Sequence, residues 1–168
     1  MANYRLPIIL VAVTLAALSA GVLYAQSEFG ASETAAPPPV AIKIVTPKDF
    51  VSDVIDTQLF ALSFIFANSK EVTANSSKKL DRLEISLRDK LDELKKEANN
   101  EKQQRILNQA GDSLDLLIDS ERQARKFKSE GNDQLAEAMM YGNVVPYATE
   151  LQQIFRTLEV ERQRVSGS

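Results

Sequence analysis

Beyond its first forty residues, the chain alternates apolar and polar positions in steps of three and four, the spacing of amphipathic helices. Four such stretches follow one another. The first runs from Pro47 to about Thr73, with Val51, Ile55, Leu62, Ile65 and Val72 as its apolar seam and Gln58 and Ser69 in the same rhythm. Thr46 reads as its N-cap, Pro47 as its first helical residue and Asp49 as the acid of its first turn. The second opens after Asn75, Ser76 and Ser77 and carries Leu80, Leu83, Leu87, Leu91, Leu94 and Ala98. Its other face is charged, from Lys78, Lys79, Asp81 and Arg82 on to Lys95 and Lys96, with Asp92 and Lys96 spaced for an ion pair. Asn99 and Asn100 mark a turn, although one long bent helix over 75–128 fits the pattern too.

The third stretch uses Leu107, Ala110, Leu114, Leu117 and Ala124, widened by Ile106, Ile118 and Phe127, with Gly111 inside it. Ser129, Glu130, Gly131 and Asn132 close it, Gly131 suiting a C-cap and Asn132 the next N-cap. The fourth carries Tyr141, Val144, Ala148, Leu151, Phe155, Leu158 and Val165, with Arg162 in the seam. Pro146 is expected to kink it, because its ring meets the carbonyl of Gly142. Seams on four consecutive segments predict an all-α protein, an antiparallel four-helix bundle over residues 47–165.

Two departures from amphipathicity bear on function. Leu59–Ala67 is apolar on nearly every face yet far too short to span a bilayer. It therefore needs cover from other helices or a second chain, with Leu59, Phe60, Phe64 and Phe66 as partner-contact candidates. The other is Leu6–Ala25, twenty residues without a charge, about 30 Å as a helix and so matched to a bilayer core. It reads as a membrane anchor, with Tyr4 and Tyr24 at the interfaces, or as a signal peptide cut after Ala25. Leu23 fits the small-residue cleavage pattern poorly, which favours the anchor. Arg5 precedes the span and no Lys or Arg follows until Lys43, so both readings put the C-terminal part outside the cytoplasm. Residues 26–46 form a Pro-rich linker, stiffened at Pro37–Pro39 and including a short β-branched run, Val40–Val45, that reads as extended.

Composition narrows the chemistry. There is no cysteine and no histidine, which removes disulfides, thiolate or imidazole metal sites, the usual haem ligands and the commonest general base. No catalytic residue, metal site or cofactor is predicted, and the chain reads as a non-enzyme. Met139–Tyr141 and the phenylalanines read as core rather than a cofactor box. Beyond Ala25 there are 19 basic against 23 acidic residues, without the basic stripe of a nucleic-acid binder. Arg122 and Arg125 on the third helix, with Tyr147 and Thr149 on the fourth, are candidates to bind a small carboxylate ligand. Lys126 and Lys128 extend that basic cluster. Asp112, Asp115 and Asp119 share a face, but one helix rarely supplies enough oxygens for a cation.

The stretch Glu130–Ala138, followed by Val145-Pro146-Tyr147 and by Leu151, Phe155 and Leu158, resembles the last helix of the four-helix-bundle sensor domain of bacterial chemoreceptors and sensor kinases. The resemblance covers roughly residues 47–163 and implies an extracytoplasmic ligand-binding domain. Those receptors carry a second membrane span and a cytoplasmic signalling part, and their first span runs straight into the bundle, whereas a proline-rich linker intervenes here. The expected function is therefore a non-catalytic accessory subunit or adaptor of a cell-envelope complex, working through helix–helix contacts. The alternative is a sensor domain of the chemoreceptor type. The expected place is the bacterial inner membrane, held by residues 6–25 with the helices in the periplasm, or the periplasm itself if Ala25 is cut. A protein partner or a homodimer is expected, and no nucleic acid.

Overall fold

A computed structural model describes residues 45–167, within the compact unit formed by residues 41–168. The anchor or signal segment 1–25, the linker from 26 and the extended run 40–44 lie outside the described residues. Among the described residues every regular element is helical. They are α1 (Pro47–Ile65), α2 (Lys70–Lys96), α3 (Glu101–Ser129), α4 (Asp133–Met139), a π-helical segment (Met140–Val144) and α5 (Val145–Ser166). None of these is long and apolar enough to cross a membrane.

The start of α1 is as the sequence predicts. The Asp49 amide donates to Thr46 Oγ1 at 3.3 Å while the Thr46 amide donates to Asp49 Oδ2 at 2.9 Å, a reciprocal capping box with Pro47 at the first helical position. Its end differs. The helix stops at Ile65, and Ser69 caps α2 by accepting the Val72 amide at 3.2 Å. Asn75, Ser76 and Ser77, expected to cap α2, lie inside it. The apolar run gives out at Ala67, so the next polar pair, Asn68-Ser69, already supplies the turn and the cap.

The buried face of α1 also differs from the expected seam. Phe50, Val54, Thr57, Ala61, Phe64 and Ile65 are buried, while Ile55 and Val72 are exposed and Val51 and Leu62 only half-buried. Two interleaved rows of this segment are apolar. The row that buries two phenylalanines removes more apolar surface from water and takes the core. Thr57 enters that row without an orphaned hydroxyl because it donates to the Asp53 carbonyl at 2.8 Å.

The expected seam of α3 holds, with Leu107, Ala110, Leu114, Leu117 and Ala124 buried. In that of α2, Leu80, Leu87, Leu91 and Leu94 are buried, Leu83 is only half-buried and Ala98 lies past the helix end. Asn100 accepts the Gln103 amide at 2.8 Å and starts α3, so residues 75–128 are two helices. Lys96 pairs with Glu93 at 2.7 Å rather than with Asp92. In the last helical stretch Val144, Ala148, Leu151, Phe155 and Leu158 are buried, but Tyr141 and Val165 are exposed. Pro146 is met by the π segment just before it, where the Val145 amide bonds back to the Met140 carbonyl. A proline ring removes one amide and crowds the carbonyl four residues back, and the wider turn accommodates both.

Side-chain contacts tie these helices together. The Asp53 carboxylate of α1 accepts from Ser86 Oγ at 2.6 Å and from Lys90 Nζ at 2.7 Å on α2. Phe50 of α1 stacks on Phe155 of α5, ring centroids 4.0 Å apart. Lys102 of α3 reaches Glu161 of α5 at 2.6 Å. Val45, the one described residue of the extended run, packs partly buried against this core.

Candidate functional site

Several large apolar side chains are exposed at the end of α1 and the start of α2. Of the four residues expected to contact a partner, Phe64 is buried in the core and Phe60 is half-buried. Leu59 is 57% exposed and Phe66 46% exposed, and Val72 across the turn is 45% exposed. Among the described residues Phe66 has one aromatic neighbour, the exposed Tyr141, with ring centroids 6.3 Å apart. Leu59 and Phe66 are exposed for a specific reason. Leu59–Ala67 is apolar all round, so whichever row faces the core leaves the other in water.

Between α1 and α2 lies a groove of about 500 Å³ whose lining includes Phe60, Val72, Ser76, Lys78, Lys79 and Arg82, but neither Leu59 nor Phe66. The sequence places the three cations only as part of a charged face. In the structure Lys78, Lys79 and Arg82 have no ion-pair partner among the described residues. Most cations farther along are paired: Arg88 with Asp115, Lys90 with Asp53, Lys96 with Glu93, and Lys102 with Glu161. The signal was present in the sequence. Lys79 and Arg82 have no acid three or four residues away on their own helix, and Asp81, three residues from Lys78, turns to Arg125 instead.

The carboxylate-ligand candidates lie elsewhere, and the structure does not bring all four together. Arg122 reaches Glu84 of α2 at 2.6 Å. Arg125 reaches Asp81 at 2.7 Å and Ser77 Oγ at 3.2 Å. Thr149 donates to the carbonyl of Val145 in its own helix at 2.9 Å, and Tyr147 packs half-buried against the core. The two arginines thus find their carboxylates within the chain. With Arg88 and Asp115 at 2.7 Å they make the α2–α3 contact a polar one.

One acid in that contact is missed by sequence reasoning. Glu121 is 4% exposed, in step with Leu114, Leu117 and Ala124 on the buried row of α3. Arg125 Nε lies 2.6 Å from Glu121 Oε1, close enough for an ion pair but out of hydrogen-bonding alignment. Burial dominates and pushes the Glu121 carboxyl up to about 7, against the pull of the Arg125 guanidinium. Glu161 is the opposite case: the ammonium of Lys102 and the guanidinium of Arg164 hold its carboxyl below the ordinary value.

Lys126 and Lys128 pair with Glu130 at 3.9 Å and with Asp133 at 3.0 Å. Asp112, Asp115 and Asp119 are exposed, and among the described residues no three acids converge as a metal site would require. The chain matches no protein-family model, no curated protein and no solved structure.

Proposed function

We propose that the protein is a non-catalytic accessory subunit or adaptor of a cell-envelope complex. Residues 6–25 would hold it at the membrane or deliver it to the periplasm. The helices beyond would form an antiparallel four-helix bundle that binds a protein partner by helix–helix contact. The observation that carries this reading is the exposed apolar surface of Leu59, Phe66 and Val72. The pairings of Asp81 with Arg125 and of Arg88 with Asp115 support the antiparallel bundle, since residue numbers fall on α3 as they rise on α2. The sensor reading draws less support, because Arg122 and Arg125 already hold Glu84, Asp81 and Glu121.

The test is to extract the full chain from its native membranes in mild detergent. A fixed set of membrane proteins should accompany it in constant proportion. Replacing Leu59 and Phe66 by Asp should release that set, and replacing the equally exposed Ile85 by Asp should not. A chain that migrates alone in every case overturns the reading.

A further inference from the structure

We infer that the groove between α1 and α2 seats an acidic amphipathic helix of the protein partner, its apolar ridge on Phe60 and Val72 and its acids beside Lys78, Lys79 and Arg82. This deepens the adaptor reading and rests on it.

Shape argues for a helix. The floor is recessed between two helices, so its occupant must present a ridge, as one helix presents its side chains to the groove of another. Along α2 the lining runs from Val72 to Arg82, about 15 Å of helix, which matches roughly three turns of a docked partner. A flat bilayer surface fits less well, because membrane contact favours apolar side chains that protrude, and Phe60 is half-buried.

Charge argues for acids on that helix. Three cations border the groove without an ion-pair partner among the described residues. Arg88, Lys90 and Lys96 of the same helix have one, Lys70 and Lys95 do not, and only Lys78, Lys79 and Arg82 gather at one groove. Lys78 and Arg82 are spaced four residues apart and Lys79 and Arg82 three apart, so they present one charged edge. Acids repeated at three- and four-residue spacing beside an apolar ridge would meet that edge.

The probes are amphipathic peptides of about 20 residues, long enough to hold a helix, with one apolar ridge and flanks of Glu, Gln or Lys. Binding to the full chain in detergent would be read by fluorescence anisotropy. The Glu peptide should bind at least about tenfold tighter than the Lys peptide, the sum of three modest ion pairs. Reversing all three cations (Lys78→Glu, Lys79→Glu, Arg82→Glu) should reverse that order, and neutralising them to Gln should abolish it. Circular dichroism on both variants verifies that the helices remain. Equal affinity for all peptides overturns the inference, as does binding confined to phosphatidylglycerol vesicles. If the co-purifying proteins leave when Leu59 and Phe66 become Asp but stay with the reversed cations, the adaptor reading stands and this inference fails.

Discussion

Glu121 and Glu161 are both buried acids, but only the Glu121 carboxyl is pushed up by burial. That carboxyl ordinarily loses its proton near 4.5 but does so at about 7 in the folded chain. The folded state therefore binds the extra proton between those values, and stability from this group falls as pH rises through that window. The contribution is complete below about pH 4.5 and gone above about pH 7. A shift of that size corresponds to about 3 kcal/mol at most. Glu121→Gln, which keeps the shape without the charge, should leave stability near its original value at about pH 4 and raise it at about pH 8. Urea unfolding of both chains across that range measures the difference, and parallel pH profiles would contradict the assignment. Arg125 keeps Asp81 and Ser77 in the variant, so it is not left without partners.

At the scale of the element, two glycines of α3 and its cap should respond in opposite directions to the same change. Gly111 is mid-helix, and a methyl group there would meet chiefly Lys95 Nζ at 3.2 Å, the free end of a flexible side chain that can move aside. Gly111→Ala should stabilise the protein by about 0.5–1 kcal/mol through helix propensity. Gly131 sits at φ 77, where its amide bonds to the Lys128 carbonyl and the next amide to that of Phe127, closing the helix. Gly131→Ala should cost about 1 kcal/mol, because a side chain disfavours the left-handed region. Thermal melts of the two variants decide the matter. Both glycines were assigned these places from sequence alone, as was the Thr46 cap, because each depends on local backbone chemistry. The register of α1 did not follow so easily. Where two adjacent rows are both apolar, periodicity admits either, and the choice lies with Phe50 and Phe64 finding partners on other helices. Glu121 escaped for a related reason: a polar residue on an apolar row reads as a break in the pattern until its neighbour Arg125 is seen beside it. The groove was half legible, in the excess apolar run of α1 and the cations of α2 without helical partners. Their convergence depends on how α2 turns back after Ser69.

At the scale of the whole described unit, the first and last helices are joined by one aromatic stack. Phe50 and Phe155 are both fully buried, with ring planes 17° apart, although more than a hundred residues separate them in the chain. Because α2, α3 and α4 lie between them in sequence, this contact closes a long loop of chain. Either Phe50→Ala or Phe155→Ala should therefore cost about 3–5 kcal/mol, the transfer of a phenylalanine to water plus the cavity it leaves. The double variant should cost less than the sum of the two by about 0.5–1.5 kcal/mol, the share owed to ring stacking rather than to burial. Chemical denaturation of the four chains measures that coupling. Additive losses would mean that the two rings share a core without acting on each other. Such a result would assign the closure of α1 on α5 to the apolar surface around them, Val54, Leu151 and Leu158 included.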